Sequence, residues 1–157
     1  MSRGILMFGL NNETMDYFKI CMLNAKLIKA NMGDVNISVV TSEYSLGWEW
    51  AKNNIGDIKA TVNVIILPGM GGLNNPINSK NKRIYRDTQY YSKNDVFLNQ
   101  SRSDAFTLSP YDETLLLDCD YLILSNSLNS VWGSLEDFLI SNDALTLNHE
   151  AVNAAEF

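Results

Sequence analysis

Apolar residues in this chain gather in short unbroken runs rather than in strict alternation. The first run, RGILMFGL at 3–10, is followed by Asn11 and Asn12, which can cap a helix, so a strand feeding a helix is predicted. Phe18, Cys21, Met22, Ala25 and Ile28 then recur at helical spacing, with Lys19, Lys26 and Lys29 off that stripe. This predicts a helix with one apolar face up to about Asn31, ended by Met32-Gly33-Asp34. NISVVTS at 36–42 reads as a second strand, SLGWEWAKN at 45–53 as a short helix, and ATVNVIILP at 60–68 as a third strand stopped by its proline.

The turn-rich interval 69–81 has no apolar periodicity and is expected to be a loop. KRIYRDTQYYS and DVFLNQSRSDAF beyond it read as short helical or irregular pieces. A fourth strand is expected from about Thr114 to Cys119, with the apolar run after Asp120 as a separate short piece. Helical spacing at 131–140 and a strand-like ALTLN precede a tail, EAVNAAEF, without a clear signal.

Strands apolar throughout and alternating with helices predict an α/β fold with a mainly parallel sheet covered by helices on both sides. Ligands of such sheets gather beyond the carboxyl ends of the strands. Those ends are Gly9 to Asn11, Thr41 to Glu43, Pro68 to Gly72 and Asp118 to Asp120.

Length and charge narrow the picture. A chain of 157 residues fits one domain, and a domain of that size hides roughly 70% of its unfolded surface. Cys21 and Cys119 lie in apolar surroundings without a close-spaced partner, so reduced, partly buried thiols in a cytosol are expected. The opening MSRGILMFGL is too short for a signal peptide or a membrane span, and no later segment reaches ~18 apolar residues in a row; a cytoplasmic protein without a membrane span is expected. A net charge of −6 argues against any extended nucleic-acid binding, which depends on Lys and Arg neutralising phosphates.

Candidate chemistry centres on LSPYDETLLLDCDYLI, residues 108–123. Ionised carboxylates are costly to bury unless paired or bound to a cation, and here two of them interrupt an apolar run. On a strand, Asp118 and Asp120 point to one face and Cys119 to the other. A divalent cation relieves their repulsion, and hard oxygen ligands suit magnesium or manganese completed by waters and substrate phosphates. Eleven aspartates make about 0.8 such pairs expected by chance, so the surrounding residues matter more than the pair. The bland alternative is two solvated aspartates at a strand end.

That segment resembles the nucleotide-diphospho-sugar transferases of glycosyltransferase-A type, in which a Ser-Pro-(Phe or Tyr)-Asp turn leads into an apolar strand ending in Asp-x-Asp. GILMFGLNNETMDYFKICMLNAKLIK resembles that family's first strand, nucleotide-contacting loop and first helix, and NISVVTS its second strand. The similarity covers most of residues 3–148 and is sharpest at 109–121. It implies a Rossmann-like sheet and a nucleotide-sugar donor, usually a UDP-sugar. Mn2+ or Mg2+ would bridge Asp118 and Asp120 to the diphosphate, with Asp120 the more direct ligand and Asp118 near the ribose or a metal-bound water. Gly9, Leu10 and Asn11 would line the base and ribose pocket, and Arg102 would lie towards the donor. The departure is that 37 residues follow Asp120, little room for the acceptor half of a complete enzyme.

Residues 1–157 are accordingly expected to form a single nucleotide-sugar-binding domain of a metal-dependent glycosyltransferase, passing the sugar to an unknown acceptor. Two alternatives stand beside this. One is a catalytically inactive binding or assembly module of the same fold; the other, weaker one is a nucleotidyl-transfer enzyme, for which FGLNNET is not the required basic glycine-rich loop. A homo-oligomer could complete the cleft. His149 with Glu150 reads as solvated, Lys80, Lys82, Arg83 and Arg86 as a phosphate-holding cluster or a solvated face, and GMGG at 69–72 as a turn. Trp48 and Trp50 are expected to be packing residues, and Thr107 and Ser109 have no evident base.

Overall fold

The computed structural model describes residues 2–67, 84–85, 88–89 and 105–133. Four strands, β1 (Arg3–Phe8), β2 (Asn36–Thr41), β3 (Asn63–Ile66) and β6 (Glu113–Leu117), form one sheet in the order β3-β2-β1-β6. Every pairing in it is parallel. Between them run α1 (Tyr17–Met32), α2 (Glu43–Leu46), α3 (Glu49–Asn53) and α4 (Ile55–Thr61), and α5 (Ala105–Leu108) precedes β6. The arrangement is an α/β, Rossmann-like parallel sheet flanked by helices, the fold class that the unbroken apolar runs predicted.

The two central strands explain those runs. From Gly4 to Phe8 and from Ile37 to Thr41 every residue is buried, because helices or loops cover both faces. On one face Ile5, Met7, Ile37 and Val39 meet the α1 stripe of Phe18, Cys21, Met22, Ala25 and Ile28, all inaccessible to solvent, together with Leu117, Cys119 and Ile123. On the other, Leu6, Phe8, Leu10, Val40 and Leu67 form a second cluster, against which Ala105 and Leu108 of α5 pack. Trp50 packs on the first cluster, and the Tyr44 and Trp48 rings meet edge to face at 6.2 Å, so both tryptophans serve packing as expected.

Several boundaries differ from the expectation. The cap of α1 is Asp16, whose carboxylate accepts from the Lys19 amide at 2.9 Å, rather than Asn11 or Asn12. The predicted helix at 45–53 is two short helices broken at Gly47 and Trp48, and residues 60–61 end α4 instead of opening β3. Ile58 and Val62 are four apart and both buried, so the apolar run at 60–68 carries a helical period at its start that a strand reading overlooks. Residues 84–85 and 88–89 pair as a minimal antiparallel ladder, β4 with β5, where helical or irregular structure was expected. The loop at 69–81 and the segments after 133 lie outside the described residues.

Gly9 sits where β1 passes closest to α1. A Cβ placed on it would meet the Cys21 sulfur and the Phe18 Cα, each at 2.9 Å, and the latter is backbone that cannot rotate away. Gly56 in α4 has open space around it. Gly9→Ala should therefore cost about 1–3 kcal/mol in urea unfolding, the scale of an overpacked core. Gly56→Ala should be neutral or stabilise by about 0.4–1 kcal/mol.

Candidate functional site

Strand order reverses between β1 and β6. From β1 the chain moves outward through β2 to β3, then returns to place β6 on the other flank of β1. In open α/β sheets the crevice beyond the carboxyl ends at such a reversal is the usual ligand position. The ladder pairs Met7 with Leu117, so Phe8, still paired to Val40 of β2, and Asp118 come next on the two adjacent strands, and the chain beyond each leaves the sheet at the same edge. The two sequence segments singled out for a donor site, Gly9 to Asn11 and Asp118 to Asp120, are thereby neighbours at that edge.

The β1 side is fixed by hydrogen bonds. The Gly9 amide donates to the Val40 carbonyl at 2.9 Å, and the Thr41 hydroxyl donates to the Gly9 carbonyl at 2.7 Å. Leu10 turns into the second core cluster. Asn11 is buried: its amide donates to the Ser45 hydroxyl at 2.8 Å, its side-chain oxygen accepts from the Phe18 amide at 2.8 Å, and its Nδ2 donates to Asp16 at 2.8 Å. Asn12 holds the loop by accepting from the Thr14 and Met15 amides. The loop forms a hydrogen-bonded rim, and the Asn11 side chain is engaged in starting α1. Asp16 and Ser45, which complete this network, were missed in the sequence; an aspartate directly before the apolar stripe was the available signal for the first.

On the other flank of β1, β6 ends at Leu117, two residues earlier than expected, and Asp118 to Tyr121 form a turn closed by the Tyr121 amide on the Asp118 carbonyl at 3.1 Å. Asp118 and Asp120 are exposed, and Cys119 between them is buried, so the alternation expected of a strand survives in the turn. Cys21 is likewise buried, and neither thiol is in a disulfide.

At the opposite end of β6, the Ser-Pro-Tyr-Asp turn bonds to the start of β1 and to β2. Tyr111 lies over Gly4, where a Cβ would collide with its ring, and its hydroxyl pairs with that of Ser38 at 2.7 Å. Asp112 accepts from the Ser2 amide and hydroxyl, and Glu113 pairs with Arg3 at 2.8 Å. The Ser109 and Thr114 hydroxyls bond to each other.

As to a metal, no group of three or more His, Cys, Asp or Glu side chains able to hold an ion occurs among the described residues. Two solvent-exposed carboxylates, Asp118 and Asp120, fit a hard cation that takes the rest of its shell from waters and phosphates, the usual manner of Mg2+, and do not fit an all-protein cage. Arg102, the cluster of Lys80, Lys82, Arg83 and Arg86, the GMGG stretch and His149 with Glu150 lie outside the described residues. No described helix is long and apolar enough to cross a membrane. Comparisons with protein-family models, curated proteins and solved structures returned no match.

Burial pushes the Tyr111 hydroxyl above the ordinary tyrosine pKa of about 10, and its bond with Ser38 offsets part of this. The folded state thus favours the neutral phenol. Its contribution is complete below pH ~10 and is lost as pH rises through the raised folded value. Tyr111→Phe should cost about 0.5–1.5 kcal/mol at neutral pH and flatten the decline of the urea midpoint above pH ~10. Asp112 moves the other way: the Ser2 bonds lower its pKa, so its contribution is present above the ordinary carboxylate range and is lost as pH falls through the lowered value.

Proposed function

We propose that this chain is the donor-binding domain of a metal-dependent glycosyltransferase, holding a nucleoside diphosphate sugar, a UDP-sugar by preference, beyond the β1 and β6 ends. The observation that carries this is the parallel β1–β6 ladder, after which the Asp118 to Asp120 turn, its two carboxylates exposed, and the Gly9 to Asn11 loop both leave the sheet at the edge where strand order reverses. Similarity of residues 109–121 to the Ser-Pro-Tyr-Asp to Asp-x-Asp segment of glycosyltransferase-A enzymes agrees with that placement.

In this reading the rim formed by Gly9, Leu10 and the Asn11 backbone packs against base and ribose. Asp118 and Asp120 hold Mn2+ or Mg2+ against the diphosphate. A cation there supplies Lewis-acid neutralisation of the departing diphosphate. The two carboxylates contribute charge and orientation, while the buried Cys119 keeps the turn seated on the core.

Thermal unfolding of the chain with UDP and Mn2+ together should show a rise in midpoint that neither gives alone. Asp120→Asn should remove that joint rise and leave the unliganded midpoint within about 0.5 kcal/mol of the parent, as expected at an exposed position. A joint rise that survives Asp120→Asn would sink the metal site. Release of free sugar from a UDP-sugar separates an active domain from one that captures the donor without turnover.

A further inference from the structure

Position 24 lies in the middle of α1 among fully buried apolar neighbours, Cys21, Ala25 and Ile28, yet it is an asparagine with no solvent exposure. Its Oδ1 is buried without a hydrogen-bond partner. An amide at such a place carries a helix-propensity cost and leaves a buried acceptor unsatisfied. The site has a role for the other end of that amide: Nδ2 donates to the Tyr121 carbonyl at 2.9 Å and contacts the Met7 sulfur at 3.6 Å.

Tyr121 is the residue whose amide closes the Asp118 turn. Two turns further along the helix, Asn31 Nδ2 donates to the Ile123 carbonyl at 2.9 Å, and Asn129 Nδ2 returns to the Met32 carbonyl at 3.3 Å. The segment leaving the turn, residues 121–124, belongs to no strand. Side-chain amides from α1 take two of its carbonyls, and Ile123 enters the core. The same helix begins at the Asn11 and Asp16 network on the β1 side of the candidate site. One rigid element thus touches both sides of the candidate site.

We infer that Asn24, seconded by Asn31, is a positioning residue that clips the Asp118–Tyr121 turn to α1 and so fixes both carboxylates relative to the Gly9 to Asn11 rim. The inference rests on the donor-site reading above. It assigns the stability given up at position 24 to preorganisation of the carboxylates, in the manner of groups that orient metal ligands from behind.

Three measurements on the full chain test it: the unfolding midpoint without ligands, amide exchange at 121–124, and Mn2+ affinity with UDP present, read from the electron paramagnetic resonance of free Mn2+. Asn24→Leu should fold, speed amide exchange at 121–124 and weaken Mn2+ roughly 10-fold, with metal-free UDP binding unchanged. A folded Asn24→Leu with parental Mn2+ affinity overturns the positioning role while leaving the donor reading intact. Failure of the parent chain to bind Mn2+ with UDP overturns both. Should Asn24→Leu not fold, Asn31→Leu, at a partly exposed position, carries the same test: unchanged exchange and Mn2+ affinity reject the clip.

Discussion

The pairing of β6 with β1 is the constraint on which this structure depends. It joins segments more than a hundred residues apart, Arg3 with Glu113 through Met7 with Leu117, and its register decides which side chains enter the core. Side-chain period in a strand is two, so a slip of one residue would carry Leu115, Leu117 and Cys119 off the α1 face and turn the two aspartates of the following turn towards it. Turning two ionised carboxylates towards an apolar core is far more costly than exposing a leucine, and the register is correspondingly well specified.

The amino end of the ladder reinforces that choice. Tyr111 fits over a position that has no Cβ, Asp112 takes two bonds from Ser2, and Glu113 meets Arg3. None is strong alone: the Arg3–Glu113 pair is about half exposed on the arginine side and adds little by itself. Their value is that all three agree on one alignment, so that what is fixed at one end of five residues is inherited at the other.

Much of this was legible in the sequence, and the reasons for the failures are physical. The α1 stripe was readable because helical spacing and lysine placement agree, and β1 and β2 because a strand covered on both faces has to be apolar throughout. The start of β3 was not, since Ile58 and Val62 satisfy a helical period while the following residues satisfy a strand. Asn24 was invisible as well: a polar residue inside an apolar stripe reads as a neutral interruption until its partner, Tyr121, is brought alongside by folding. Asp118 and Cys119, which open the turn, were taken for the end of the strand because the alternation of exposed and buried residues continues through them.

Within the segment that resembles the sugar transferases, the residues divide by what the fold itself requires. Tyr111 and Asp112 are explained by their bonds to Ser38 and Ser2, and Leu115, Leu117 and Cys119 by the core. A parallel sheet of this kind needs such residues whatever it binds, so they bear on architecture and leave chemistry open. Asp120 differs. It occupies an exposed turn position at a topological reversal, has no ion-pair partner among the described residues, and could be any polar residue without harm to the packing. In the proposed reading the functional weight therefore falls on the carboxylate that the fold can do without, and on the helix amide bonded to the turn that carries it.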